Sequence, residues 1–371
     1  MKPFLKFAAI AVGCVALLAV GGIYGASYYY TSQFGQGCAS CHEMAAYVSV
    51  AHAAPHRTEN CTDCHNESLA TKLRHVRIHL FGDLPENIRL RDADVEEMTA
   101  NCRACHEQEY ASWHAGPHSA TYRQVFTDPV QNSKQMLMDD CLRCHGMYFN
   151  GSIRDLVRPV NTKGPWRLIR PGMADQPAMP CMTCHQIHRE GAQETRPASR
   201  ISVAGSAVPA SLAFYDRRES LHFAATALAI PQLYDGARLV TVSQDPRQAL
   251  CYQCHAPRMS EAGSIAAANA WGPQVGSGDD RTPMGVHEGL SCISCHDGHN
   301  QNTRASCKTC HPQMSHCGID VEKMDTTYAS ATSAHNIHWV KCTDCHQHGI
   351  PKAKAHPAIK AKLPTTPGMN G

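Results

Sequence analysis

Residues 7–30, from Phe7 to Tyr30, carry no charge, and Lys2 and Lys6 precede them. At 1.5 Å of rise per residue this run makes about 36 Å of helix, enough to cross a hydrocarbon layer of about 30 Å. The flanking lysines predict a cytoplasmic N-terminus (residues 1–6). They place Tyr28, Tyr29 and Tyr30 in the outer aromatic belt. A cleaved signal peptide is the competing reading. Its apolar region would be unusually long, and Tyr24 spoils an Ala-x-Ala-like site ending at Ala26. Cys14 lies inside the run and reads as a small membrane residue.

Beyond the run the pattern thins. Leu69, Leu73, Val76 and Leu80 recur on one side of a helix, which predicts a helix over residues 67–81. Residues 92–104 and 216–230 also read as helical. No segment alternates strongly enough to predict a strand-rich fold. The tail from His348 carries Lys352, Lys354, Lys360 and Lys362, several prolines and no acid, and reads as a basic tail.

Against this weak pattern one unit recurs nine times: Cys-x-x-Cys followed at once by His. The first three are Cys38 and Cys41 with His42, Cys61 and Cys64 with His65, and Cys102 and Cys105 with His106. Next come Cys141 and Cys144 with His145, Cys181 and Cys184 with His185, and Cys251 and Cys254 with His255. The last three are Cys292 and Cys295 with His296, Cys307 and Cys310 with His311, and Cys342 and Cys345 with His346. This is the attachment signal for c-type haem. Two thiols add across the porphyrin vinyl groups, and the adjacent histidine binds the iron as proximal ligand. Zinc also uses Cys-x-x-Cys half-sites. It gives no reason for His in the next position every time, when only 24 of 371 residues are His. A disulfide framework needs no such histidine either. The reading is nine covalent haems and electron movement.

Composition then sharpens the fold. Of 20 cysteines the motifs leave only Cys14 and Cys317, so no disulfide set remains. Haem attachment of this kind places the bulk of the chain outside the cytoplasm, in the periplasm of a single-pass membrane protein. Aromatic residues make up 6% of the chain, which suits a core filled by porphyrins rather than side chains. The expected fold is mainly α with much irregular structure, a haem-dominated core and one N-terminal transmembrane helix. Folding is expected to depend on haem insertion. The formal charge of +2 omits the cofactors. Nine ferric haems with ionised propionates take it to about −7, and full reduction to about −16. No basic, aromatic-interleaved patch suggests nucleic acid.

The motif spacing is uneven. A long stretch without a motif separates His185 from Cys251, which divides the chain into a first haem module (31–195, motifs one to five) and a second (196–347, motifs six to nine). The basic tail covers 348–371. Residues 38–56 and 102–118 repeat one another: each has Cys-x-x-Cys-His-Glu, then Tyr, Ser and His-Ala-x-Pro-His. The repeat aligns His52 with His114 and His56 with His118.

Low-spin haem takes a second axial ligand, usually His or Met. Fifteen histidines lie outside the motifs, more than nine haems can use. His56 and His118 are favoured by the repeat. His188 and His299 each follow a motif histidine by three residues. His287 and His338 precede motifs at the spacing of His56 or one residue less. His222 is the only histidine in the long gap. These seven rank first; His335, His316 and His348 come next, and His52, His75, His79, His114 and His356 are weaker. Met44 follows His42 by two residues, either as a thioether ligand or as a gap-filling side chain.

The anchor, the closely following first motif and the Cys-x-x-Cys-His-x-Met form at Cys38 to Met44 resemble the NapC/NirT/NrfH family of membrane-anchored quinol dehydrogenases. So does the run Tyr110-x-x-Trp113-x-x-Gly116-x-His118. The resemblance covers about residues 1–190. It implies that menaquinol or ubiquinol gives electrons to the haem nearest the membrane, with Met44 on its iron. In that family a Lys and an Asp in the region after the second motif are associated with the quinol, and Lys72 and Asp83 hold those places here. A solvated Lys and a helix-end Asp are the competing reading. Two features depart from the family: five motifs precede the long gap instead of four, and Val50 replaces the tryptophan in the first repeat.

The function expected is electron transfer from the quinol pool through a haem chain to a periplasmic redox protein, in a chain able to form homo- or hetero-oligomers. Two other readings remain. One is a multihaem oxidoreductase acting on a small nitrogen or sulfur compound, although Cys-x-x-Cys-Lys is absent. The other is a quinol-independent subunit of a larger complex.

Overall fold

The computed structural model describes residues 2–31, 33–65, 68–82, 92–130, 132–134, 136–188, 194–195, 207–208, 211–235, 237–255, 282–299, 307, 309–311, 337–338, 340 and 348. Helix α1 (Lys2–Thr31) contains the apolar run, and its span Lys6–Tyr29 is long and apolar enough to cross a membrane. Its described side chains are exposed throughout, as expected of a helix whose packing partner is lipid.

A 3₁₀ segment, Gln33–Ser40, leads directly from α1 into α2 (His42–Ala53). The short α3 (Cys61–Cys64) is started by a capping box between Asn60 and Asp63. Helix α4 (Leu69–Phe81) is capped by Ser68, whose hydroxyl accepts from the Thr71 N–H. It stops at Gly82, where the chain turns so tightly that a Cβ would lie 2.8 Å from the Ile78 carbonyl. The sequence placed this helix closely, but on its apolar face Leu73 and Leu80 are exposed, as is Phe81. Helix α5 (Asp92–Cys105) and α6 (Glu107–His114) follow, with α5 also close to its predicted span.

From α7 (Tyr122–Thr127) to α8 (Ile153–Leu156) and the antiparallel pair β1 (Val157–Arg158) and β2 (Arg167–Leu168), the chain builds an ordinary apolar core. Tyr122, Phe126, Leu142, Phe149, Leu156 and Trp166 are buried at its centre. The expectation that porphyrins replace side-chain packing does not hold in this segment. A second cluster packs Val95, Met147, Tyr148 and Met182 against Phe214, Tyr215, Leu228 and Ala249.

Residues 216–230 depart from their predicted helix. After the small pair β3 (Glu194–Thr195) and β4 (Ala207–Val208), strand β5 (Ala213–Asp216) pairs antiparallel with β6 (Leu221–Ala224). The turn between them places Ser220 at φ 55, which stops a helix, and Phe214 and Tyr215 are both buried in β5. Tertiary packing overrides the local helical pattern here. A further hairpin, β7 (Tyr234–Asp235) with β8 (Arg238–Leu239), precedes α9 (Pro246–Cys251). Asp245 caps α9 and Pro246 opens it, the expected start signal.

Candidate functional site

Seven Cys-x-x-Cys-His motifs share one backbone device. In motifs two to eight the histidine N–H donates to the carbonyl of the first cysteine: His65 to Cys61 at 2.8 Å, His106 to Cys102 at 2.9 Å, His145 to Cys141 at 2.9 Å, His185 to Cys181 at 3.1 Å, His255 to Cys251 at 2.7 Å, His296 to Cys292 at 2.9 Å and His311 to Cys307 at 2.8 Å. One helical turn therefore presents both thiols and the imidazole together, which attachment of a planar ring at three points requires.

The first motif departs from the repeated unit at Cys41. Cys38 lies within the 3₁₀ segment, and the Cys41 N–H donates to its carbonyl at 3.4 Å. Cys41 itself is extended, at φ −91 and ψ 129, and its carbonyl accepts the Met44 N–H at 3.0 Å. The chain is thus redirected at Cys41, so that His42 opens α2 instead of closing a turn over Cys38. The sequence motif is the same as the other eight, but its backbone is set by the helix that follows it.

Six motif histidines each face one histidine from elsewhere in the chain. The ring centres lie 5.8 Å apart for His65–His188, 6.0 Å for His106–His56, and 6.2 Å for His255–His118. They lie 6.0 Å apart for His185–His299, 6.0 Å for His296–His338, and 6.4 Å for His311–His287. Ordinary aromatic pairs also fall in this range, so distance alone decides nothing. The matching decides: each pair joins one motif histidine to one histidine outside the motifs, and the spacing stays near 6 Å while the ring planes meet at anything from 5° to 89°. One spacing with this one-to-one matching fits a partner shared by the two rings. It is what two rings bound to opposite sides of one ion would show, since a metal–imidazole bond of about 2 Å and about 1 Å from nitrogen to ring centre put the centres about 6 Å apart. The residues thus fit a group held between two axial imidazoles.

Burial tunes these rings for metal binding. His185 and His188 are pushed down to about 4, first by burial and then by neighbouring histidines. His118 and His287 are lowered as well, burial again leading. A depressed value keeps the ring neutral, the form that donates a lone pair to a metal. Among the described residues no three His, Cys, Asp or Glu side chains converge on one point, whereas a structural zinc site needs four ligands.

No described cysteine is spent on a disulfide, so each described motif pair keeps two thiols for attachment; Cys38 and Cys41 are both half-buried. Burial pushes Cys184 up to about 12 and Cys295 up to about 11.

Six of the seven first-ranked histidines therefore stand opposite a motif histidine. The seventh, His222, does not do so among the described residues. It sits in β6, its Nε2 3.0 Å from the Met182 carbonyl and 3.4 Å from the Tyr148 hydroxyl, beside the Tyr215 ring. His145 presents the converse case: it belongs to a motif, it is lowered by burial and by His255, and no described histidine faces it at the spacing of the six pairs.

Of the lower-ranked candidates, the described ones, His52, His75, His79, His114 and the middle-ranked His348, belong to none of the six pairs. His52 is exposed on α2, and His75 and His79 are exposed on α4. His114 is exposed and packs on Tyr110, which also lies under Arg103 at 5.0 Å. His348 is exposed. In the Tyr110 to His118 run, Trp113 is buried and His118 faces His255. Met44 is half-buried in the first turn of α2. The His42 and Lys72 side chains lie outside the described residues, as do Asp83, His316, Cys317, His335, Cys342, Cys345, His346 and His356.

Sequence reading missed the residues that lock one motif to the next. Gln248 of α9 accepts the Cys292 N–H at 3.0 Å, and buried Asp245 accepts from the Ser291 hydroxyl at 2.9 Å. The Asn101 amide donates to the Cys64 carbonyl at 2.7 Å. The Asp245-Pro246 start signal was legible; its long-range partner was not.

Residues 101–154, which carry the third and fourth motifs, match the family model described as Cytochrome c554 and c-prime. No curated protein and no solved structure matches the chain. The family match supports a c-type cytochrome that binds haem c covalently and transfers electrons.

Proposed function

We propose that the chain is a membrane-anchored nonahaem cytochrome that takes electrons from the quinol pool and passes them to a periplasmic redox partner. The observation that carries this reading is the set of six facing imidazole pairs, each joining one motif to one outside histidine. The motif cysteines, from Cys38 and Cys41 onward, hold the haems covalently. The paired histidines His65/His188, His106/His56, His255/His118, His185/His299, His296/His338 and His311/His287 would hold the irons. Bound haem supplies one-electron chemistry at the iron. The chain's own part is to fix ring positions, keep the imidazoles neutral and exclude water. Such pairs leave no axial position for substrate, which suits conduction. The quinol end is supported by α1, which leads straight into the first motif, and by Met44 in the helix that His42 opens.

The test is selective reduction of detergent-solubilised protein. Changing Met44 to Ala is expected to slow reduction by a menaquinol analogue at least severalfold and leave reduction by dithionite near normal. Unchanged quinol reduction would remove the entry point. His145 favours a second reading, an oxidoreductase for a small nitrogen or sulfur compound, because no described imidazole faces it. A high-spin ferric signal that survives in the intact protein and shifts with cyanide would favour that reading.

A further inference from the structure

The contacts between motifs do not follow sequence order. Motif one meets motif two through the Cys38 and Cys61 thiols. Motif two meets motif three, where Asn101 holds the Cys64 carbonyl. Motif three then skips motif four. The Cys102 thiol pairs with Cys181 of motif five, and α5 packs on the Cys181–Thr183 turn. Motif five leads to motif six, with Met182 of motif five buried in one cluster with Ala249 and packed with Cys254 of motif six. Motif six joins motif seven through the Cys251–Cys292 thiol pair and the Gln248 bond to the Cys292 N–H. Motif seven reaches motif eight, where His287, five residues before Cys292, faces His311 of motif eight at 6.4 Å. Motif four touches this line from the side at motifs five and six: the Tyr148 hydroxyl, three residues past His145, donates to the Met182 carbonyl at 2.7 Å, and the Cys144 thiol pairs with Cys254 and lies 4.0 Å from the Gln253 carbonyl.

The facing histidines support the same order. His299, three residues beyond the seventh motif histidine, faces His185 of the fifth. His118, from the segment after motif three, faces His255 of the sixth. No described histidine ties motif four into this lacing.

We infer that the haems run in the order one, two, three, five, six, seven, eight, and that the fourth is a side branch at the junction of the fifth and sixth, outside the through-path. The inference rests on the haem reading of the motifs. Tunnelling falls steeply with separation, so an electron crosses between touching neighbours and is not forced through a branch. The fourth haem would then store or deliver an electron at the junction without carrying the current.

The experiment uses the haem-loaded full chain. A ruthenium photosensitiser is attached at Ala53→Cys on the exposed end of α2, beside the first three motifs. A sacrificial amine re-reduces the sensitiser, so each flash delivers one electron that converts one ferric haem to ferrous. His118→Met marks the sixth haem with a thioether ligand and a higher potential, which makes it the sink. Loss of its far-red sulfur-to-iron band reports arrival. If methionine does not bind, the high-spin band of the same haem serves instead. Into this background go Cys141→Ala with Cys144→Ala, or Cys181→Ala with Cys184→Ala, and intact mass counts the haems. Removing the fourth haem is expected to leave arrival within twofold. Removing the fifth is expected to slow it at least tenfold. A tenfold loss on removing the fourth, or none on removing the fifth, overturns the order while the haem count still upholds the haem reading. Double variants that keep the parent's haem mass would overturn both.

Discussion

Motif four and motifs two and three solve the same problem with different materials. Around His145 the chain folds on itself: α7, α8 and the β1–β2 pair bury Phe126, Leu142, Leu156 and Trp166 together. Around His65 and His106 the described helices bury little, chiefly Val48, Ala54, Val95 and Trp113. Instead they present imidazoles to partners far along the chain. One region is held by side-chain packing and leaves its histidine without a facing ring among the described residues. The other buries fewer side chains among the described residues and sets its motif histidines against imidazoles from elsewhere. Apolar packing and histidine pairing have been divided between the two.

The comparison breaks most easily at the apolar core. Phe126→Ala is expected to cost about 3–5 kcal/mol, the usual range for a fully buried aromatic. Val48→Ala in α2 is expected to cost about 1–2 kcal/mol, the transfer value of two methyl groups. Denaturant unfolding of the haem-loaded protein measures both. Equal losses would show that packing supports the two regions alike.

Ligand substitution sharpens the other side. His118→Ala is expected to turn one low-spin haem high-spin with the haem mass unchanged, because the axial bond goes and the thioethers stay. His222→Ala is expected to leave the spin state alone and lose about 0.5–1.5 kcal/mol, the worth of one hydrogen bond to the Met182 carbonyl. Electron paramagnetic resonance of both variants decides. A spin change on losing His222 would make it a ligand.

The smallest effect is expected from pH. Burial lowers His185 and His188 from about 6.5 to about 4 in the fold, and a bound iron would hold them lower still. The unfolded chain therefore binds protons first as pH falls. Stability from these rings is complete above about 6.5 and declines as pH falls below it. Mild acid should loosen the histidine-paired region before the apolar core. The denaturation midpoint between pH 7 and 4, read separately from the haem band and from tryptophan fluorescence, would show the haem band moving first. Coincident shifts would unite the regions.

How much of this could be read from the sequence follows from the range of each interaction. The anchor, α4 and α5 were legible because their signals lie within a few turns of chain. The motif turns were legible because attachment fixes cysteine and histidine at neighbouring positions. The different backbone at Cys41 was not, because the motif letters there match the other eight. Ranking six of the paired histidines needed only the repeat and short spacings, yet their partners could not be named. His65 finds His188, and His118 finds His255, across stretches that no local pattern spans. The β5–β6 hairpin was missed because Phe214 and Tyr215 respond to Tyr148 and Met182, not to their chain neighbours. His222 misled for a related reason. Its isolation in the sequence suggested a ligand, and the Met182 carbonyl satisfies it.

The long reach of the histidine pairs also bears on how the protein is made. A chain exported from its N-terminus presents His65 long before His188 appears, and His185 before His299. Early in synthesis the second and fifth motifs can accept a cofactor through their thiols, yet neither can close its other face. Contacts of such separation are slow to form because long loops must first be brought together. On the proposed reading maturation does not follow motif order: the third motif can close on His56 as soon as His106 is out, whereas the second waits for His188 and the fifth for His299. A product cut short before residue 188 would leave His65 without its facing ring while His106 already has one.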